Sequence, residues 1–166
     1  VEKYPNSQKK FFLNIEFRLS ESISKDGGHP HMHVIFDNDP DLCGYEKITR
    51  FLTNLETQSI DDASAKTRCT DLKDTSDFEA ATVGLDNLLR ALVDTFGDSE
   101  PYLLAFPANN DGLRSTDSGS PRKIQLADRI DKVCDFFFGN AGNRDFLLRT
   151  DRYAQGPSVP KPVVSA

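Results

Sequence analysis

Two segments near the start of the chain, KKFFLNIEFR (9–18) and HPHMHVIF (29–36), alternate apolar and polar residues, and this period of two constrains the fold more tightly than any other feature. In the first, Phe11, Leu13, Ile15 and Phe17 fall on one side of an extended backbone, with Phe12, Asn14, Glu16 and Arg18 on the other. In the second, Pro30, Met32, Val34 and Phe36 share a side, opposite His29, His31, His33 and Ile35. Each strand therefore offers one face to a core and keeps the other largely polar. The intervening LSESISKDGG reads as a surface connection, so the two strands are expected to pair as an antiparallel hairpin, and DNDPDLCG ends the second.

The period then changes to that of a helix. YEKITRFLTNLE (45–56) places Ile48, Phe51, Leu52 and Leu55 on one stripe. SDFEAATVGLDNLLRALVDTFG (76–97) does the same with Phe78, Leu85, Leu88, Leu89, Leu92 and Phe96, between a capping box of Ser76 with Glu79 and a stop at Gly97. PYLLAF (101–106) fits a strand or a buried helical turn, and NNDGLRSTDSGS is a loop by composition. A third helix is predicted over 120–139, with Pro121 in its first turn and Gly139 as its stop, while RDFLLRTDRY (144–153) fits either strand or helix. The expected class is α+β: a central antiparallel-rich β-sheet with helices packed on one side, its open face carrying the His-x-His pair.

A chain of 166 residues, 37% of them hydrophobic, closes one core, so a single domain over 1–153 is expected, followed by a Pro-rich tail or linker over 154–166. No apolar run reaches the length of a membrane span and VEKYPNSQKK lacks the apolar stretch of a signal peptide, so a soluble, non-secreted protein without a membrane partner is expected. Cys43, Cys69 and Cys134 share no metal-binding spacing and receive no chemical role. The net charge of −6 argues against a general nucleic-acid coat protein. The charge is uneven, however: residues 1–111 carry 11 Lys and Arg against 20 Asp and Glu, net −9, and residues 112–166 carry 9 against 6, net +3. A local phosphate-binding face in the last third is compatible with that asymmetry.

All three histidines of the chain lie in residues 29–33. On a strand, residues two apart project to one side about 6.6–6.8 Å from each other, close enough for two imidazoles to approach one metal ion. His31 and His33 meet that condition. Glu16 is the natural carboxylate to join them, since an antiparallel register that opposes Glu16 to His31 brings the two polar faces together, and hard divalent cations favour oxygen ligands. The competing reading is a polar, solvated sheet face without chemistry.

The succession FFLNIEF, loop, HPHMHVIF and a helix containing ITRFL resembles the nicking domain of parvovirus replication initiator proteins, members of the histidine–hydrophobe–histidine (HUH) endonucleases. The resemblance implies that Glu16, His31 and His33 hold Mg²⁺ or Mn²⁺. It also implies a nucleophilic tyrosine, Tyr102 in EPYLLAF, which attacks one strand of origin DNA to leave a 3′-hydroxyl and a 5′-phosphotyrosine. The lysine that usually follows the tyrosine is replaced here, where Ala105 and Phe106 stand. Arg114 and Lys123, with Arg122, are the cations expected at DNA in its place, although a solvated helix face is the favoured reading of the charges of the third helix. Implied partners are single- and double-stranded origin DNA, a helicase domain beyond the tail through which the chain would oligomerise, and a host nucleus as the setting.

Two other readings stay open. His29, His31 and His33 followed by Val34 and Ile35 match the signature of histidine-triad nucleotide hydrolases and transferases, which work without a metal, although Pro30 interrupts the strand between the first two. A non-cutting origin DNA-binding module fits the missing lysine and the acidic balance. A cupin-like oxygenase fits less well, since Asp37 and Asn38 stand where its glutamate is expected.

Overall fold

The computed structural model describes residues 10–22, 28–108, 121–152 and 156–165, without the side chains of 121–124. Strands β1 (Asn14–Arg18) and β2 (His31–Phe36) come first, followed by helices α1 (Pro40–Cys43) and α2 (Tyr45–Asn54). Then come β3 (Glu56–Ser59), β4 (Lys66–Arg68), α3 (Thr75–Ala80), β5 (Ala81–Thr82) and α4 (Leu85–Phe96). The last third holds β6 (Tyr102–Pro107), α5 (Pro121–Val133), β7 (Phe136–Phe138), α6 (Ala141–Leu147) and β8 (Val163–Val164).

The architecture is α+β, with a five-stranded sheet ordered β1-β2-β6-β7-β8 and a three-stranded sheet ordered β4-β3-β5. The larger sheet is mixed where an antiparallel-rich one was expected. β1 with β2 and β2 with β6 run antiparallel, but β6 with β7 and β7 with β8 run parallel. The cause is the pair of helical crossovers: α5 and α6 each return the chain to the end from which it left, so the next strand repeats the direction of the last. Among the described residues, no helix is long and apolar enough to cross a membrane.

One face of the large sheet builds the core. Phe17, Met32, Val34, Phe36, Leu104, Phe106 and Phe137 are buried with Phe51 of α2, Leu88, Leu92 and Phe96 of α4, and Ile130 of α5. Phe36 is the hub, its ring centroid 5.7 Å from those of both Phe51 and Phe96. The alternation of β2 appears as strict burial of Met32, Val34 and Phe36 between half-exposed His31, His33 and Ile35. On β1 the core face starts later than the pattern suggests, since Phe11 and Leu13 remain 65% and 48% exposed.

Three helix expectations are corrected. The helix predicted over 76–97 is two helices, because Ala81 and Thr82 extend to pair with β3, Val83 bridges to Leu19, and Gly84 restarts the chain at α4. The β-branched pair Thr82–Val83 followed by glycine is a poor helix interior. The cap of α3 is Asp74, accepting from the Asp77 N–H at 3.0 Å, in place of the Ser76–Glu79 box. The third helix stops at Val133, six residues before Gly139, because Phe136, Phe137 and Phe138 enter the sheet and the Asp135 carboxylate takes the Leu104 N–H at 2.7 Å. Gly97 does stop α4, with a φ of 59° that favours glycine. The Pro-rich tail supplies an edge strand, β8, beside β7.

Candidate functional site

The antiparallel pairing of β1 and β2 opposes Glu16 to His33, Arg18 to His31 and Asn14 to Ile35. The expected register, with Glu16 opposite His31, is therefore corrected by two residues. Closure of the hairpin sets the offset: the Leu19 N–H donates to the Pro30 carbonyl at 2.7 Å, fixing where pairing begins. A slip of two preserves parity, so Asn14, Glu16, Arg18, His31 and His33 still share the face away from the core.

Glu16 reaches diagonally across the strands and its carboxylate is hydrogen-bonded to His31 Nδ1. The two side chains are 50% and 40% exposed, so the pair contributes only about 0–1 kcal/mol to stability and remains accessible to a ligand. His33 behaves differently. Its Nδ1 lies 3.2 Å from Asn14 Nδ2 and 3.3 Å from Asn14 Oδ1, and its ring stands edge-on to Phe138 with centroids 5.2 Å apart. His29 Nδ1 donates to the Leu19 carbonyl at 2.8 Å, which braces the end of the hairpin and gives this histidine a structural task.

The three sequence-predicted ligands thus share a face without converging on a point. Among the described residues, no group of three His, Cys, Asp or Glu side chains could hold a metal ion. As arranged, Glu16 and His31 serve each other while His33 serves Asn14 and Phe138, so the residues do not fit Mg²⁺ or Mn²⁺ and no chemical step is derived through either.

Tyr102 is not brought to this face. β6 opposes Tyr102 to Phe36 and Ala105 to His33, so Tyr102 projects to the core side and Ala105 to the histidine side. Its ring packs against Phe96 and Phe36 with centroids 5.8 and 6.5 Å away. Burial first, then the charges of Glu100 and Asp135, raise its phenol above the usual value of 10.0, the opposite of what a phenolate nucleophile needs. Tyr102 thus lies on the face of the sheet opposite Glu16 and His31. Arg114 lies outside the described residues, and Arg122 and Lys123 sit in the first turn of α5 with side chains outside that description. Arg129 of the same helix is paired with Asp86. Burial raises the thiols of Cys43, Cys69 and Cys134.

Sequence reasoning missed what surrounds the Glu16–His31 pair. A cavity of about 360 Å³ opens beside it where β1 meets the smaller sheet, lined by Glu16, Arg18, His31, Thr57, Leu72 and Phe78 among others. Arg18 was visible as a member of the polar face, and its guanidinium donates to the Glu79 carbonyl in the structure. Phe78 and Phe138 were assigned to helix interiors, so the period of 3.6 concealed them. Comparison with family models, with curated proteins and with solved structures finds no match to this chain.

The arrangement is chemically specific at one point. A carboxylate at Nδ1 orients an imidazole and fixes its tautomer, leaving Nε2 as the nitrogen that exchanges protons with a substrate. Arginine on the adjoining strand adds a cation suited to phosphate or carboxylate oxygens.

Proposed function

We propose that the face carrying Glu16 and His31 cleaves phosphodiester bonds of single-stranded nucleic acid, with His31 as the general acid–base and Glu16 as the group that positions it. The observation that carries the reading is the Glu16–His31 Nδ1 hydrogen bond on an accessible sheet face, beside a cavity that includes Arg18. In the reaction, His31 takes the proton of an attacking water as its oxygen bonds to phosphorus. As the bond from phosphorus to the departing sugar oxygen breaks, the protonated His31 returns that proton to the oxygen, and Arg18 faces the charge that builds on the phosphoryl oxygens. Water is the nucleophile because Tyr102 lies across the sheet. An unpaired strand suits this face better than a duplex, since Phe136 and Phe138 of β7 supply aromatic surface on the side of His33.

A second reading keeps the metal. Glu16 directly opposes His33, with His31 two residues along the same strand, so rotation of His33 away from Phe138 would add a third donor to the other two. That rearranged site is what the HUH resemblance requires, and with it the finer proposal of an origin nickase working in a host nucleus.

Incubation of end-labelled single-stranded DNA and RNA with the protein, in EDTA and in Mn²⁺, separates the two. Cleavage that persists in EDTA supports the acid–base reading. Cleavage confined to Mn²⁺ supports the metal reading, and intact substrate under both conditions overturns both.

A further inference from the structure

The smaller sheet takes no part in the chemistry just described, yet it is held against the active face. Leu19 bridges to Val83, the Ser20 N–H donates to the Val83 carbonyl at 2.8 Å, and the Val83 N–H donates to the Arg18 carbonyl at 2.9 Å. This seam along the edge of β1 creates the 360 Å³ cavity, whose far wall is Thr57 of β3, Cys69, Leu72, Phe78 of α3 and Ala81 of β5. The volume lies at the lower end of the range of about 300–1,000 Å³ typical of small-ligand pockets.

The lining is divided by origin: β1 and β2 supply the charged and polar Glu16, Arg18 and His31 together with Ile15 and Phe17, while Leu72 and Phe78 come from beyond the seam. Phe78 is 57% exposed, an aromatic ring left out of the core on the wall of a cavity. A ligand that is flat and apolar at one end and anionic at the other matches that division, since aromatic rings stack on bases and arginine pairs with phosphate. The larger cavity of about 600 Å³ behind β3 does not match it: Asp61, Asp71 and Asp77 line that space, and its Lys66 is paired with Glu56 at 2.8 Å. Carboxylates of that number repel a phosphate.

We propose that the cavity beside Glu16 and His31 is a nucleotide pocket, in which the base of one nucleotide packs on Phe78 and Leu72 while its phosphate faces Arg18 and His31. The proposal rests on the phosphodiester reading for its ligand class, and it assigns the smaller sheet the task of holding the nucleotide next to the bond that is cut. Phe78 is then a specificity residue outside the proton-transfer machinery.

The test is calorimetric titration of the whole chain with each of the four nucleoside 5′-monophosphates and with inorganic phosphate, alongside the oligonucleotide cleavage assay. Expected results are saturable binding of at least one monophosphate, with inorganic phosphate about tenfold weaker or more. Phe78→Ala is expected to weaken the monophosphate about tenfold, and Phe78→Trp to restore it. Because the side chain is exposed, neither substitution removes core packing. Monophosphate binding that depends on Phe78 in a protein that cleaves nothing keeps the pocket and discards the catalytic reading. Cleavage whose KM is unchanged by Phe78→Ala keeps the catalysis and overturns the pocket, as does the absence of saturable monophosphate binding.

Discussion

At the scale of single residues, parity along a strand decides what each side chain can do. His31 and His33 share a face with Glu16 because all occupy positions that alternate with core-facing residues, and Tyr102 is excluded from it because it opposes Phe36. The alternation made the first of these facts legible in the sequence. The second was illegible, since PYLLAF is apolar on both faces and gives no parity signal. Tyr102 leads to a prediction with a definite sign. Its folded-state pKa lies above the unfolded value of 10.0, so its contribution to stability is whole below that pH and is lost as pH rises through the folded value. Urea unfolding is expected to shift to lower midpoints at strongly alkaline pH in the wild type, and less so in Tyr102→Phe. The same variant should cleave oligonucleotides at the wild-type rate if water is the nucleophile, and gel assays of initial rate check this.

Elements show where pattern reading ends. β1, β2, α2 and the stop of α4 at Gly97 followed from periodicity and turn chemistry. ETQS and KTR carry no apolar alternation, so β3 and β4 left no trace, although their backbones pair as well as any others. FFF at 136–138 satisfied the period of the preceding helix and was absorbed into it, when three consecutive aromatics also suit a strand buried on one side. The interruption between α3 and α4 depends on a residue far away in sequence. The Glu21 carboxylate accepts the N–H of Leu85, the first residue of α4, at 3.0 and 3.2 Å, where the helix end is positive. Glu21→Ala is expected to cost about 0.5–2 kcal/mol, as loss of an N-terminal helix cap does. A denaturation midpoint equal to that of the wild type would show that the cap is dispensable.

For the molecule as a whole, the stretch read as a Pro-rich tail or linker contributes the edge strand β8 to the sheet. The buried Arg152 side chain makes two 2.8 Å bonds to Asp131 of α5, donates to the Leu147 carbonyl at 2.6 Å, and donates to the Val159 carbonyl at 2.7 Å. One guanidinium thus ties α5, α6 and the segment leading to β8, a long-range arrangement that local pattern cannot reveal. Arg152→Ala leaves the Asp131 carboxylate buried and unpaired, and is expected to cost about 3–5 kcal/mol in chemical denaturation. Arg152→Met combined with Asp131→Leu should cost less than either change alone, because no charge is stranded.

The central claim is that the Glu16–His31 pair, on the face opposite the core, performs the proton transfer of phosphodiester cleavage. Its most direct measurement is the single-turnover rate on labelled single-stranded oligonucleotide for the wild type and His31→Ala, with circular dichroism showing the fold retained. The account predicts a loss of about 10²–10⁴-fold, the worth of a general acid–base group. A folded His31→Ala protein cleaving at the wild-type rate would contradict it.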